Sequence, residues 1–190
     1  MRNVEIEFKY DASKVKLKDF IDFCSNKRLL NKIVIFGCDD FYENKTQPCT
    51  FYRHRTNDFE NQLTFKRKHD KDNNTIRTEY NIILDKNANT KDDIKGFLLE
   101  SGYKFNTTLF KTCFIYQYEF YILVYYICYD ESMAEVGRFI EIEAKEDYDW
   151  SSNKEAVDSI AIVEKMCKSL GLSPDKRLKK SLYEMYRKGN

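Results

Sequence analysis

The chain of 190 residues is poor in the residues that interrupt structure, with two prolines and six glycines. That scarcity leaves little room for a flexible linker. One domain spanning residues 1–190, long enough to bury a real core, is expected. Metal-binding spacing of the soft kind is also missing. Two histidines, His54 and His69, accompany six cysteines of which no two stand at C-x-x-C separation, so a structural zinc site is not expected. No signal peptide is recognisable, and the cysteines read as free thiols of a cytoplasmic protein. An excess of charge is lacking too: 32 basic against 31 acidic residues give a net +1. Such balance argues against a simple nucleic-acid or membrane-surface binder. The most apolar run, "CFIYQYEFYILVYYICY", is broken by Gln117 and Glu119. It is too short and too polar to span a bilayer, and two adjacent strands fit it better.

Aromatic residues are plentiful, with 14 Tyr and 14 Phe, which favours sheet. "NVEIEFKY" alternates, with Val4, Ile6 and Phe8 on one face and Glu5, Glu7 and Lys9 on the other. A helix follows in "ASKVKLKDFIDFCSNKRLL", with Ser13 as its expected N-cap. Further strands are expected in "KIVIFGCDDFYE", "CTFYRHRTN", "NQLTFKRKHD" and "IRTEYNIILD", in two runs between 109 and 129, and in "RFIEIEAKE". Thr90 and Asp93 have the spacing of a capping box for a second helix, stopped by Gly102. Two helices close the chain. One carries an apolar stripe from Ala156 to Leu170 and ends at Gly171; the other starts with Pro174 at its first position. About eight strands with few peripheral helices predict an antiparallel sheet, closed or nearly closed, with helices outside.

The charged faces recur and sort by sign. Arg53 and Arg55 share a face, as do Lys66 and Lys68, Arg77 with Glu79 and Asn81, and Glu141 with Glu143. Alternation alone fits the wet outside of a sandwich. The same-sign pairs argue otherwise, because like charges side by side are best tolerated where a counter-ion is expected. Four carboxylates offer hard oxygen donors to Mg²⁺ or Mn²⁺. The Lys and Arg rows offer a cradle for a polyphosphate. Turned inward in a barrel, the two sets together describe a site for a metal–triphosphate complex.

In this order the segments resemble the CYTH superfamily, the triphosphate tunnel metalloenzymes. "VEIEFK" resembles its E-x-E-x-K signature, and "DDFYE" its acidic-aromatic segment. "FYRHR" is similar to R-x-R, "LTFKRK" to L-T-x-K, "RTEYN" to R-x-E-x-E and "LFKTCFIY" to K-x-R-x-x-Y. "YDESMAEVGRFIEIE" resembles the D…G-x-F-x-E-x-E segment, and "KSLGLSPDKRLKKSLYEMY" the close of the class IV adenylyl cyclase branch. The resemblance implies an α+β fold, an eight-stranded antiparallel closed tunnel with a charged interior and outer helices. It implies Glu5, Glu7, Glu141 and Glu143 as metal ligands for Mg²⁺ or Mn²⁺, helped by Glu79 and Asp130. It implies Lys9, Arg53, Arg55, Lys66 and Lys111 as triphosphate-binding bases, with Lys68, Arg77 and Lys180 as further members, and Lys9, Lys111 and Glu79 as the catalytic group.

Two positions depart from the pattern. Cys113 stands where K-x-R has Arg, a loss for which Arg138 could substitute, and Asn81 stands where R-x-E-x-E has its second acid. The implied partner is a small triphosphate: ATP, thiamine triphosphate or inorganic triphosphate. Hydrolysis of such a triphosphate comes first. A class IV-type adenylyl cyclase and a non-catalytic triphosphate binder remain alternatives, as monomer or homodimer.

Overall fold

The structure is a computed structural model; residues 4–44, 46, 50–70 and 73–188 are described, leaving aside the side chains of residues 69, 70, 73 and 74. Eight strands close into a barrel in the order β1-β5-β4-β3-β2-β6-β7-β8. They are β1 (Val4–Asp11), β2 (Asn31–Glu43), β3 (Thr50–Asn57), β4 (Asn61–Asp70), β5 (Asn73–Ile83), β6 (Lys104–Gln117), β7 (Tyr121–Tyr129) and β8 (Glu135–Ala144). Every neighbouring pair is antiparallel. The closing pairs lie on either side of β1, where Glu5 faces Arg77 of β5 and Lys9 faces Glu141 of β8. Closure removes the unpaired edges that an open sheet of this length would present. Cys49, Lys71 and Asp72 lie outside the described residues.

Helices α1 (Leu17–Ser25) and α3 (Asn153–Met166) cover the outside of β1, β7 and β8. Beneath them Ile6 and Phe8 pack with Phe20, Leu123, Tyr125, Ile140, Ile142 and Ile160. The apolar side of β1 is therefore the outer side, buried under helices. Its charged side, with Glu5, Glu7 and Lys9 each buried, faces the barrel interior. Helix α2 (Lys91–Glu100) lays Ile94 and Leu98 against Tyr42 and Leu63 on another outer sector. The Thr90–Asp93 capping box is present, and Gly102 (φ 85°) and Gly171 (φ 78°) take the left-handed conformation expected past a helix end.

Three local expectations are corrected. The N-cap of α1 is Lys16, which makes no side-chain cap bond, whereas the Ser13 amide donates to Asp11 Oδ1 at 2.7 Å in a turn before the helix. Strands β6 and β8 start several residues before the apolar runs that signal them. The segment after Pro174 is not one helix. Pro174–Lys176 form a single 3-10 turn, Arg177 bridges to Tyr10 of β1, and α4 (Leu182–Tyr186) begins anew behind a Ser181–Glu184 capping box. Arg177 lies over the Phe8 ring, its Cζ 3.5 Å from the centroid, and its guanidinium holds the buried Glu164 carboxylate of α3. This anchor explains why the chain runs straight there instead of coiling. Among the described residues no helix is long and apolar enough to cross a membrane.

Candidate active site inside the barrel

Strand parity puts the charged rows on the inner wall of a cavity of about 430 Å³. Twelve of the fourteen residues expected at the site can be followed into this interior or to its rim, and two cannot. Glu5, Glu7, Lys9, Arg53, Arg55, Lys66, Arg77, Glu79, Lys111, Glu141 and Glu143 line the cavity. Lys68 reaches past it to Glu184 of α4, Nζ to Oε1 2.6 Å.

Lys180 and Asp130 are the corrections. Lys180 is exposed on the stretch before α4 and does not line the cavity. Asp130 sits in the β7–β8 turn, where its Oδ1 accepts from the Ser132 amide (2.8 Å), the Ser132 hydroxyl (2.7 Å) and the Ala134 amide (3.0 Å). It shapes a turn away from the acidic wall. Arg138 does not stand in for the arginine missing at Cys113. Three residues from Glu141, it has the opposite parity, points outward and pairs with Glu135 at 2.7 Å.

The interior charges satisfy one another. Lys66 Nζ lies 3.0 Å from Glu5 Oε2 and also contacts Glu79. Arg77 contacts Glu5 and lies 2.7 Å from Glu7 Oε1. Lys9 bridges Glu141 (2.9 Å) and Glu7 (3.3 Å). Arg53 is 3.7 Å from Glu79 and donates to Thr64 Oγ1 at 3.2 Å. The sequence reading missed two members. Asp39 is fully buried in β2 and takes a two-pronged contact from Arg55 (2.8 and 3.2 Å) plus a contact from Lys111. Tyr126 of β7 donates its hydroxyl to Glu141 Oε1 at 2.7 Å. "DDFYE" signals an inward acid, but only the register with β3, which sets Asp39 opposite Arg55, selects Asp39 over Asp40.

This pairing sets the ionisation of the acids. Burial opposes the charge of Glu5, but Arg77 and Lys66 outweigh it and hold its carboxyl well below the usual range. Asp39 is likewise held well below by Arg55, Lys111 and Arg53, against its burial. Glu141, despite burial, is lowered to about 2 by Lys9 and Tyr126. Glu143 is the exception. Among the described residues it has no ion-pair or hydrogen-bond partner, and burial together with Glu5, Glu7, Glu79 and Glu141 pushes its carboxyl well above the usual range. Burial also raises Glu7, where the charges of Glu141 and Glu5 partly cancel the help of Arg77 and Lys9.

A ready-made cage of three or more His, Cys, Asp or Glu groups is not found among the described residues. The carboxylates are turned toward the tunnel's own lysines and arginines. Their chemistry nonetheless fits a hard divalent cation. Glu143, crowded by like charges and without a cation, is the point at which added positive charge gains most.

No family model and no curated protein matches the sequence. Solved structures do match its fold. A conserved hypothetical protein from Pyrococcus furiosus superposes with a TM-score of 0.72 at 22% identity, over 96% of this chain and 99% of that one. An adenylate cyclase candidate from Vibrio parahaemolyticus gives 0.69 at 13% identity, over 97% and 98%. The capping-enzyme triphosphatase of Mimivirus gives 0.51 at 11% identity, over 85% and 90%. The chain thus shares the fold of these proteins: a closed antiparallel eight-stranded barrel with charged side chains inside and helices outside.

Proposed function

We propose that the barrel interior binds a triphosphate with a divalent cation, Mg²⁺ or Mn²⁺, and hydrolyses it. The observation that carries this reading is the meeting of acids and bases in one buried cavity. The acids Glu5, Glu7, Glu141 and Glu143 stand within one cavity with the bases Lys9, Arg53, Arg55, Lys66, Arg77 and Lys111. A cavity of about 430 Å³ lies at the small end of small-molecule sites, roughly 300–1,000 Å³. It suits a phosphate chain more than a whole nucleotide.

Glu5, Glu7, Glu141 and Glu143 would hold the cation, with Glu79 beside them. When bound, the cation supplies charge neutralisation and a means to activate water at neutral pH. The chain's own bases do the rest. Arg53 and Arg55 offer planar forks to phosphate oxygens, while Lys66 and Arg77, released from Glu5, offer further donors. Lys9 and Lys111, both buried on the cavity wall, neutralise the charge that grows on the reacting phosphate. Glu79 steers Lys66 and Arg53 toward the chain. Tyr126 keeps Glu141 in place through its hydroxyl.

A class IV-type adenylyl cyclase is the second reading, favoured by the near full-length likeness to the Vibrio protein. The two are separated by incubating the protein with ATP or inorganic triphosphate and Mg²⁺ or Mn²⁺, then identifying products. Orthophosphate without a cyclic product is expected. Cyclic AMP with pyrophosphate would replace the hydrolase by the cyclase. Metal-dependent binding without either product would leave a non-catalytic binder.

A further inference from the structure

The outer face of β2 carries a separate group of reactive side chains, across the barrel wall from the cavity. Cys38, Asp40 and Tyr42 alternate with the inward Asp39 and Phe41, so they face outward. The thiols of Cys24, Cys128 and Cys167 are buried, and Cys113, two residues from Lys111, shares its inward face. Cys38 differs from these in being half-buried on the outside, under the start of α2.

Lys91, the first residue of α2, completes a three-way contact there. Its Nζ lies 2.8 Å from Asp40 Oδ2 and donates to Cys38 Sγ at 3.6 Å. The Cys38 thiol in turn donates to Asp40 Oδ1 at 3.7 Å. Asp40 is buried, and Thr108 Oγ1 fixes its Oδ1 by donating to it at 2.6 Å. Tyr42 is fully buried, and its hydroxyl has no hydrogen-bond partner among the described residues. Burial, Asp40 and Cys38 push the pKa of that hydroxyl up, so it stays a proton donor. Burial and Asp40 also push the Cys38 thiol up to about 11, against the pull of Lys91. Partial burial opposes the Lys91 charge, but Asp40 outweighs it and raises the amine. Thiol and ammonium therefore each need a base, and Asp40 touches both.

We propose that Cys38 and Lys91 form an oxidative cross-link site: hydrogen peroxide converts the thiol to a sulfenic acid, and the Lys91 amine captures it as a sulfenamide that ties α2 to β2. Sulfenic sulfur is open to attack by a nearby nitrogen. In the first step the Cys38 sulfur attacks one peroxide oxygen. The S–O bond forms and the O–O bond breaks. The thiol proton passes through Asp40 to the leaving hydroxide, which departs as water, with Tyr42 as a further donor to it. Sulfur loses two electrons and peroxide gains them. In the second step the Lys91 ammonium gives one proton to solvent by way of Asp40, and its nitrogen attacks the sulfur. The S–N bond forms, the S–O bond breaks, and a second N–H proton leaves with the hydroxide as water. No further oxidant is consumed. An external thiol reverses the bond by attacking sulfur and releasing the amine.

The test treats the wild-type chain with hydrogen peroxide, digests it without reductant and reads the peptides by mass spectrometry. The expected product joins the Cys38 and Lys91 peptides, with a mass two hydrogen atoms below their sum, and dithiothreitol separates it. Lys91→Arg keeps a cation for Asp40 but holds it permanently charged. In that variant the cross-link is expected to vanish, and dimedone, which captures sulfenic acids, is expected to label Cys38 more than in the wild type. Unlinked wild-type peptides, with Cys38 unreacted or carried on to the sulfinic acid, would overturn the proposal. Equal dimedone labelling of the two proteins would overturn it as well.

Discussion

Glu143 holds the clearest residue-scale consequence of the self-paired interior. Its carboxyl and that of Glu7 are raised in the folded chain. The native state therefore keeps their protons above pH ~4.3, where an unfolded Glu has released them. Stability falls as pH rises through that window. Glu5, Asp39 and Glu141 are lowered. Their contribution is complete above the ordinary carboxylate range and is lost as pH falls toward their own low values. Without divalent cation, the melting temperature is expected to be lower at pH 8 than near pH 5, and Mn²⁺ is expected to recover much of the difference at pH 8. A metal-free melting temperature that rises between those two pH values would contradict the crowding around Glu143. Glu143→Gln should abolish most of the Mn²⁺ effect while raising the metal-free melting temperature at pH 8, because the crowded charge is gone.

Arg77 is the second test at this scale. It contacts Glu5 and Glu7 at once, so Arg77→Ala leaves two neighbouring buried carboxylates with one lysine each, Lys66 and Lys9. A loss of roughly 3–5 kcal/mol in denaturant unfolding is expected. A loss under about 1 kcal/mol would place the pair in solvent-like surroundings. Parity made Glu5, Glu7, Lys9, Arg53 and Glu141 legible before any fold was known. It also excludes Arg138, whose odd offset from Glu141 turns it outward. Parity could not choose between Asp39 and Asp40, or say which base each acid meets, since that depends on strand register across the barrel.

Elements that signal themselves locally were legible. Alternating runs and one continuous apolar, aromatic run mark the eight strands, though not the starts of β6 and β8, and Thr90–Asp93 marks α2. The C-terminal segment was not, because its course is set by distant partners. Arg177 is pinned to Phe8 and Glu164, which stops a helix from running on from Pro174 and moves Lys180 away from the cavity. The packing of α4 on the barrel end makes its own prediction. A Cβ at Gly137 would come 2.5 Å from the Tyr186 hydroxyl oxygen and 2.9 Å from the Phe139 ring. Gly137→Ala should therefore loosen α4 first. Hydrogen exchange is expected to speed up at 182–187 while β1 and β8 keep their protection. Unchanged exchange in α4 would show that the helix is held without this close approach. For comparison, Ile142→Ala, in the core beneath α1 and α3, should cost about 2–5 kcal/mol of global stability.

At the scale of the whole molecule, the net charge of +1 conceals a dense concentration of paired charge inside the barrel. Acids and bases share one cavity, in a barrel whose outside is packed by helices over part of its circumference and whose α4 end is apolar. An interior so paired is stable empty, yet each pair is also a potential exchange. A cation can take the acids and a polyanion the bases, so the two ligands should assist each other's binding. Titration calorimetry of inorganic triphosphate into the wild-type protein, with and without Mn²⁺ and beside Glu7→Ala, tests this most directly. The expected result is one saturable site per chain, at least about tenfold tighter with Mn²⁺, a coupling of about 1.4 kcal/mol, and lost in Glu7→Ala. Absent binding to the wild type, or binding equally tight without Mn²⁺ and in Glu7→Ala, would contradict a metal-dependent triphosphate site inside the barrel.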